Sequence, residues 1–410
     1  MPTIRLIQIS DLHLGAPLNW LSRERRAARR REQQRALEDA VRIAIEREAH
    51  AILVAGDLFD FEGVDVETLV FAVHAFDHAD CPPVFVAPGN HDPCSPASPY
   101  WNPRLLAARG WAWPAHVHVF DRADWTSRDL DDVPLTVWGR SFTSSAPERA
   151  RPLDAPALRA LGTLDPERVH VAVFHGSLED RCPPGQALTA PFSEAEVRRA
   201  PFAYLAVGHY HRPVPIETGA GEASTGVRFA YAGSALALDI TETGVHGVLE
   251  VRIEHGAGPP AVTVESIPLD SRRIHALEVD VTGLASADQI DRRIQEAMAE
   301  RGMAGGDLAH VRLTGRLMRG VRYTAPGPDL ATRAFALRVD ARALRPDYDL
   351  EPYRTREPST TEERFVRTLL ERMDLETDPE RRAVIASALY YGLDAFRLRD
   401  VAPAYEEMGA

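Results

Sequence analysis

Five short apolar segments of the sequence each run into residues that bind metal ions, and this recurrence constrains the fold more than any other feature. The segments cover residues 4–9, 52–55, 84–86, 169–174 and 204–207. Continuous apolar runs of this length are typical of parallel strands that are covered on both faces. Ligands of open α/β sheets bind beyond the carboxyl ends of such strands. The pattern therefore predicts an α/β fold with its functional site at one edge of the sheet.

The residues that follow these segments carry carboxylate, imidazole and amide groups. In chain order they are Asp11, His13, Asp57, Asn90, His91, His175, His209 and His211. A single histidine in such a place is more often structural, but an ordered set of this size indicates a metal site. Because the set contains no thiolate, it suits Mn²⁺, Fe, Zn²⁺ or Mg²⁺ better than an iron–sulfur cluster or Cu(I). It is large enough to hold two divalent metal ions.

The spacing of the motifs also suggests a reaction. Two ions about 3.5–4 Å apart, bridged by one carboxylate, are used for phosphoester hydrolysis. His91 follows the candidate ligand Asn90 directly, where its imidazolium could protonate or stabilise a leaving alkoxide without binding metal. Asp60 lies three residues past Asp57 and could bond the other ring nitrogen of His91. We therefore predict His91 and Asp60 as catalytic residues, whereas the substrate-binding residues are not evident.

The chain of 410 residues is too long for one ordinary core. We predict a domain over residues 1–270 that carries the site, a small α/β domain over 271–345 and a helical tail over 346–410. Within the first domain, residues 213–253 resemble a β-meander. In the tail, Ser359 and Glu362 form a capping-box pattern, and Asp378 precedes a second amphipathic helix. These two helices could fold back on the preceding domain or dock a partner.

Charge and cysteine content limit the classes of protein. The net charge of −13 argues against a protein that grips nucleic acid with its whole surface, although two metal ions would add about +4 at the site. The arginines of the helix predicted over 22–47 could form a solvated face or a phosphate-contacting patch. The three scattered cysteines indicate reduced thiols. With no apolar run near the roughly 18–20 residues that span a bilayer, we expect a cytoplasmic protein without a membrane segment.

The ordered motifs D-x-H, G-D-x-x-D, G-N-H-D, H-G and G-H-x-H resemble those of the calcineurin-like metallophosphoesterase superfamily over roughly residues 1–215. This resemblance implies a four-layer α/β/β/α sandwich with His91 as the catalytic histidine. It implies one metal position formed by Asp11, His13, Asp57 and His211. It implies a second position formed by Asp57, Asn90, His175 and His209, so that Asp57 bridges the two ions.

Within the superfamily, residues 9–15 and 55–60 most resemble the SbcD-type DNA repair exonucleases. This narrower resemblance implies that the small α/β domain caps the active site and that the helical tail binds an SbcC-type ATPase. It also implies a nuclease that prefers manganese, acts on DNA and forms a homodimer. Asp60 stands where some members carry histidine, and aspartate is the phosphatase-like choice at that position.

We therefore predict a two-metal phosphodiesterase that hydrolyses DNA as the nuclease subunit of an SbcCD-type repair complex. Two alternatives stay open. One is a small-molecule phosphodiesterase or phosphatase of the same superfamily, which the acidic net charge mildly favours. The other is a non-catalytic scaffold with a vestigial metal site, which the intact set of candidate ligands disfavours.

Overall fold

The chain forms two compact units. The structure, a computed structural model, describes residues 3–60, 64–100, 110, 112–182, 187–212, 226–256, 258–318 and 320–399. The first unit comprises Met1–Leu277, Glu300–His310 and Ala331–Arg338. The second comprises Glu278–Ala299, Val311–Leu330 and Val339–Ala410. The predicted division at residues 270 and 345 stays a prediction.

One sheet of the first unit has six strands. In chain order they are β1 (Thr3–Ile9), β2 (Ala51–Val54), β3 (Val84–Val86), β4 (Val117–Val119), β10 (Gly247–Glu254) and β11 (Ala261–Pro268). Their order in the sheet is β11-β10-β1-β2-β3-β4. Strands β1 to β4 are parallel, and β10 pairs antiparallel with both of its neighbours. The carboxyl ends of β1, β2 and β3 therefore point to the same edge.

The other sheet has five strands. They are β5 (Thr126–Leu130), β6 (Leu135–Gly139), β7 (Val169–His175), β8 (Tyr204–Gly208) and β9 (Phe229–Tyr231), in that spatial order. Strands β6 to β9 are parallel, and β5 is antiparallel to β6. The predicted meander over 213–253 is wrong where the structure describes it, because β9 and β10 belong to different sheets. Residues 213–225 lie outside the described residues.

Side chains that alternate along the strands build three apolar layers. Leu6 and Leu53 fill the core between the two sheets, together with Val171. Their neighbours in sequence, such as Ile7 and Ile52, face the opposite way and pack in the layer of helices α1 (Arg23–Glu46) and α2 (Val66–Phe76).

The outer face of the five-stranded sheet is covered as well. Phe174 and Val207 pack there with Val197 of α4 (Glu194–Arg199), and the short helix α3 (Ala155–Arg159) adds Leu158. Helices thus cover both outer faces of the paired sheets, which confirms the predicted α/β/β/α sandwich. Each leucine-sized side chain that is fully buried in these layers contributes about 1.5–3 kcal/mol.

Two arginines of α1 bond other parts of the fold, which neither the solvated face nor the phosphate-contacting patch that the sequence left open accounts for. Arg29 is fully buried, and its guanidinium bonds the carboxylate of Asp270 and lies 3.0 Å from that of Glu32. Arg30 donates from Nε to the carbonyl oxygen of Ala16 at 3.2 Å. At these positions the arginines hold parts of the fold together.

The remaining elements include two small sheets and five helices. The strands are β12 (Ile274–Asp280), β13 (Leu308–Thr314), β14 (Arg316–Leu317), β15 (Ala336–Asp340) and β16 (Arg345–Pro346). The helices are α5 (Ala287–Glu300), α6 (Pro328–Ala331), α7 (Glu351–Thr355), α8 (Thr361–Leu375) and α9 (Pro379–Leu398). Strands β12, β13 and β15 form one sheet, and β14 pairs with β16.

Helices α8 and α9 form a hairpin in the second unit. Val366 and Leu370 of α8 pack against Leu389 and Leu393 of α9. The predicted start of α9 is confirmed, with Asp378 as its N-cap. Among the described residues, no helix combines the length and apolar character needed to cross a bilayer.

The capping box of α8 begins one residue later than predicted. It joins Thr360 and Glu363 rather than Ser359 and Glu362. The reason is that the Glu363 carboxylate accepts bonds from the backbone N–H groups of both Ser359 and Thr360.

Candidate metal centre

Ends of strands from both sheets meet at one edge of the sandwich. The backbone N–H of His209, after β8, donates to the carboxylate of Asp11, after β1, at 3.0 Å. The Nδ1 atom of His175, at the end of β7, lies 3.0 Å from the carbonyl oxygen of Ala55, which follows β2. These bonds cross from one sheet to the other, so the two sheets share a single site.

Asp57 lies at the centre of this site. Its Oδ2 atom is 3.5 Å from Nε2 of His13 and 3.3 Å from Nε2 of His175. Its Oδ1 atom accepts the backbone N–H of His91 at 2.9 Å. One buried carboxylate thus faces an imidazole from each sheet.

Candidate ligand atoms collect on both sides of Asp57. On one side, ligand atoms of Asp11, His13 and His211 lie within 4.8 Å of one another, and the Nε2 atoms of the two histidines are 3.1 Å apart. Near the other side, Nε2 of His175 lies 3.1 Å from Oδ1 of Asn90 and 3.3 Å from Nδ1 of His209. The structure therefore brings together all seven residues predicted as metal ligands.

Four of these residues have left-handed backbone conformations. The φ angles are 50° at Asp11, 48° at His13, 51° at Asp57 and 121° at His209. Such conformations cost of order 1–3 kcal/mol each and persist only where the surrounding structure holds them. The fold therefore fixes these side chains in place through the backbone that carries them.

Two motif glycines allow the strand ends to approach closely. A Cβ atom on Gly56, whose φ is 88°, would lie 2.3 Å from Nδ1 of His175. A Cβ atom on Gly89 would lie 2.2 Å from Oδ1 of Asp57. Glycine precedes Asp57 and Asn90 because a larger residue would displace the candidate ligands.

The electrostatics of the site favour an ionised carboxylate at its centre. Burial alone would raise the pKa of Asp57, but the charges of His175 and His13 outweigh it and hold this pKa well below its usual range. For His175, burial opposes protonation, yet the Asp57 carboxylate raises the pKa to about 9. Burial and the charge on His175 lower the pKa of His209 to about 4. The lowered pKa keeps the Asp57 carboxylate ionised at neutral pH, which is the form that binds a cation.

The two residues predicted as catalytic lie beside this cluster. The side chain of His91 is 46% exposed, and its Nδ1 atom is 2.9 Å from the backbone carbonyl oxygen of Asp60. The Asp60 carboxylate instead lies 3.0 Å from Nδ1 of His13 and 3.8 Å from Nδ1 of His91. The expected carboxylate–imidazole pair is therefore replaced by a backbone bond, because the Asp60 side chain turns towards His13.

The donor set fits divalent metal ions. Carboxylate and imidazole atoms form close groups here, one of Asp11, His13 and His211 and another of Asp11, Asp57 and His175, and no cysteine belongs to these groups within the described part of the chain. A model of the calcineurin-like phosphoesterase family matches residues 4–213. The chain belongs to this family. Together with the clustered ligand atoms, this membership indicates a phosphoesterase that uses divalent metal ions.

This phosphoesterase is similar to one nuclease subunit in sequence and to two phosphatases of known structure. The SbcD component of the nuclease SbcCD from Rhodobacter capsulatus is 26% identical over 379 residues, which cover 82% of this chain and 86% of the relative. A dimetal phosphatase from Danio rerio is 14% identical and has a TM-score of 0.38, and the match covers 64% of this chain and 99% of the phosphatase. A purple acid phosphatase from yellow lupin is 12% identical and has a TM-score of 0.37, and the match covers 67% of this chain and 53% of the lupin protein.

Sequence analysis missed two carboxylates that support the phosphoesterase site. Asp92 is buried and accepts the backbone N–H groups of Asp57 at 3.2 Å and Gly89 at 2.8 Å. Asp92 is the last residue of the G-N-H-D motif, and this position could have marked it as a residue of the site. Glu242 lies 2.9 Å from Nδ1 of His211, and no motif marks it.

Proposed function

We propose that this phosphoesterase hydrolyses phosphodiester bonds of DNA with two divalent metal ions, as the nuclease subunit of an SbcCD-type repair complex. The position of Asp57 carries the two-ion part of the proposal. Its Oδ2 atom lies within 3.5 Å of ring nitrogens on both sides, those of His13 and His175. A carboxylate in this position can bridge two ions.

The ligands are divided between two positions. Asp11, His13, Asp57 and His211 would hold one ion, and Asp57, Asn90, His175 and His209 would hold the other. When bound, such ions acidify water and neutralise charge that develops on phosphoryl oxygens. We propose Mn²⁺ as the physiological ion.

His91 is the proposed general acid. The carbonyl oxygen of Asp60 accepts a hydrogen bond from its Nδ1 atom, so the Nε2 atom is left to exchange a proton with the substrate. The exposed ring can reach a phosphodiester in solution, and the bond between its backbone N–H and Asp57 fixes its distance from the cluster. A group in this position would protonate the leaving oxygen.

The extent of the sequence match supports DNA as the substrate. Similarity to the SbcD component of SbcCD spans 379 residues, far beyond the matched family domain at 4–213. The same proposal includes a capping domain at 271–345, a tail at 346–410 that binds an SbcC-type ATPase, a homodimer and a cytoplasmic location.

Cleavage assays test this proposal. The purified protein would be incubated with Mn²⁺ and end-labelled duplex DNA, single-stranded DNA or bis-p-nitrophenyl phosphate, with His91→Ala as the matched inactive variant. We expect DNA cleavage that the substitution abolishes.

Two other results would contradict the proposal to different degrees. In the first, the wild type hydrolyses the diester but does not cleave DNA, and His91→Ala hydrolyses neither. This result would favour a small-molecule substrate if DNA is still not cleaved after an SbcC-type ATPase is added. No hydrolysis of any substrate and no metal binding would favour a scaffold with a vestigial site.

A further inference from the structure

Three imidazoles among the candidate ligands differ in the group that their Nδ1 atom faces. Nδ1 of His13 lies 3.0 Å from the Asp60 carboxylate, and Nδ1 of His211 lies 2.9 Å from the Glu242 carboxylate. By contrast, Nδ1 of His175 meets the neutral carbonyl oxygen of Ala55 at 3.0 Å. The two imidazoles that have carboxylates behind them are those proposed for the same metal position.

Glu242 is held rigidly in this role. It is buried, and its second oxygen, Oε2, accepts the backbone N–H of Leu238 at 2.7 Å and the Ser234 hydroxyl at 3.5 Å. Ser234 in turn donates its backbone N–H to the carbonyl oxygen of His211 at 2.9 Å. The carboxylate and the imidazole are therefore fixed to each other through two separate sets of bonds.

The segment that carries Glu242 is itself pinned. It connects β9 with β10 and therefore crosses from one sheet to the other beside the site. His246 closes it, with Nε2 2.9 Å from the carbonyl oxygen of Glu242 and Nδ1 3.0 Å from that of Ser234. Burying a carboxylate costs free energy unless it is paired, and in this structure its ring partner is a candidate metal ligand.

We propose that Glu242 is a positioning residue that selectively strengthens the metal position formed by Asp11, His13, Asp57 and His211. By accepting a hydrogen bond from Nδ1–H, it fixes the ring of His211 in the tautomer whose Nε2 lone pair is available to the metal. The negative charge also makes the imidazole a stronger donor. Since Asp60 acts in the same way on His13, this position binds its ion more tightly than the position that contains His175.

This inference rests on the two-ion site of the proposed function, so metal binding is measured without reference to catalysis. Mn²⁺ would be titrated into the metal-free protein by calorimetry and by electron paramagnetic resonance, which distinguishes one bound ion from a coupled pair. We expect two binding steps in the wild type. Glu242→Gln should weaken the tighter step by about 10- to 100-fold and leave the weaker step nearly unchanged.

A second buried glutamate provides the matched control. Glu250 lies on β10, where its carboxylate pairs with Arg47 at 2.9 Å and with Arg252 at 2.8 Å. Glu250→Gln removes the same charge, so it should lower stability without changing either binding step. Should Glu242→Gln not fold, Glu242→Asp keeps the charge and is expected to weaken the tighter step by a smaller factor.

The possible outcomes separate the inference from the proposed function. Equal weakening of both steps would assign Glu242 a general structural role and overturn the inference. Unchanged binding in both Glu242 variants would overturn it as well. A wild-type protein that binds only one ion, or none, would instead contradict the two-ion site itself.

Discussion

The Asp60 carboxylate lies 3.0 Å from Nδ1 of His13, so it supports a candidate metal ligand rather than the imidazole of His91, the proposed general acid. The Asp60 N–H donates to the carbonyl oxygen of Leu14 at 3.0 Å, which fixes the backbone at this residue. The Asp60 carbonyl oxygen is then left to accept the bond from His91. The side chain of Asp60 thus bonds His13 and its backbone bonds His91, so the two contributions can be tested separately.

Asp60→Asn should weaken metal binding by about 10- to 100-fold, because it removes the charge behind His13. Turnover at saturating Mn²⁺ should stay close to that of the wild type, since the backbone bond to His91 remains. Calorimetry and steady-state kinetics with bis-p-nitrophenyl phosphate measure the two effects. Asp39→Asn, at a partly exposed residue of α1 that pairs with Arg42, is the control. A large loss of turnover at saturating metal would assign Asp60 to proton transfer.

His91→Ala should lower turnover by about 10²- to 10⁴-fold, the usual contribution of a general acid. Metal affinity should not change, because alanine keeps the backbone N–H that bonds Asp57 at 2.9 Å. Metal content after dialysis and turnover with a diester are the measurements. His78→Ala serves as the control, since the His78 side chain is exposed and its ring accepts the backbone N–H of nearby Asp80. Loss of metal from His91→Ala would show that His91 is a ligand.

Asp57→Ala should remove both metal ions, because the Asp57 carboxylate faces the candidate ligands of both positions. Metal content measured by mass spectrometry after dialysis against metal-free buffer gives the result. Circular dichroism of the variant checks that the fold persists. A variant that keeps one tightly bound ion would refute the bridging role of Asp57.

Gly89→Ala should disturb the site through volume alone. Its Cβ atom would lie 2.2 Å from Oδ1 of Asp57 and 2.9 Å from the backbone nitrogen of the same residue. We expect weaker metal binding and a free energy of unfolding lower by about 1–3 kcal/mol, as is usual for overpacking. Gly258→Ala is the control, because no atom lies within 4 Å of its Cβ position. Equal effects of the two substitutions in urea unfolding would contradict the prediction.

Asp270→Asn should lower the free energy of unfolding by about 3–5 kcal/mol at neutral pH, because it leaves the buried Arg29 without its main partner. Burial opposes ionisation of Asp270, but the bonds from Arg29 lower its pKa in the folded protein. A lowered pKa gives stability above the unfolded-state pKa of about 3.9, and this stability is lost as the pH falls through the folded-state pKa. The difference between wild type and variant in urea unfolding should therefore shrink from pH 6 to pH 3. A constant difference would contradict this linkage.

Local patterns predicted that the candidate ligands lie close together, and the structure places them so. Asp11 and His175 follow apolar runs, and parallel strands must end at a common edge. The start of α9 at Asp378 was equally local, since an N-cap acts within one helical turn. The capping box of α8 was misplaced by one residue because two adjacent residues both bond Glu363.

The sequence by itself determined the apolar strands, the edge site and its candidate donors, because strand periodicity and the residues that follow strand ends are local properties. The four-layer sandwich was implied by the family resemblance. Only the tertiary structure decided that Glu242 stands behind His211, 31 residues away, and that Arg29 is buried against Asp270, 241 residues away. It also decided which neighbour the Asp60 side chain faces. These relationships depend on packing between segments that are distant in the chain, and neither motif spacing nor amino-acid composition predicts such packing.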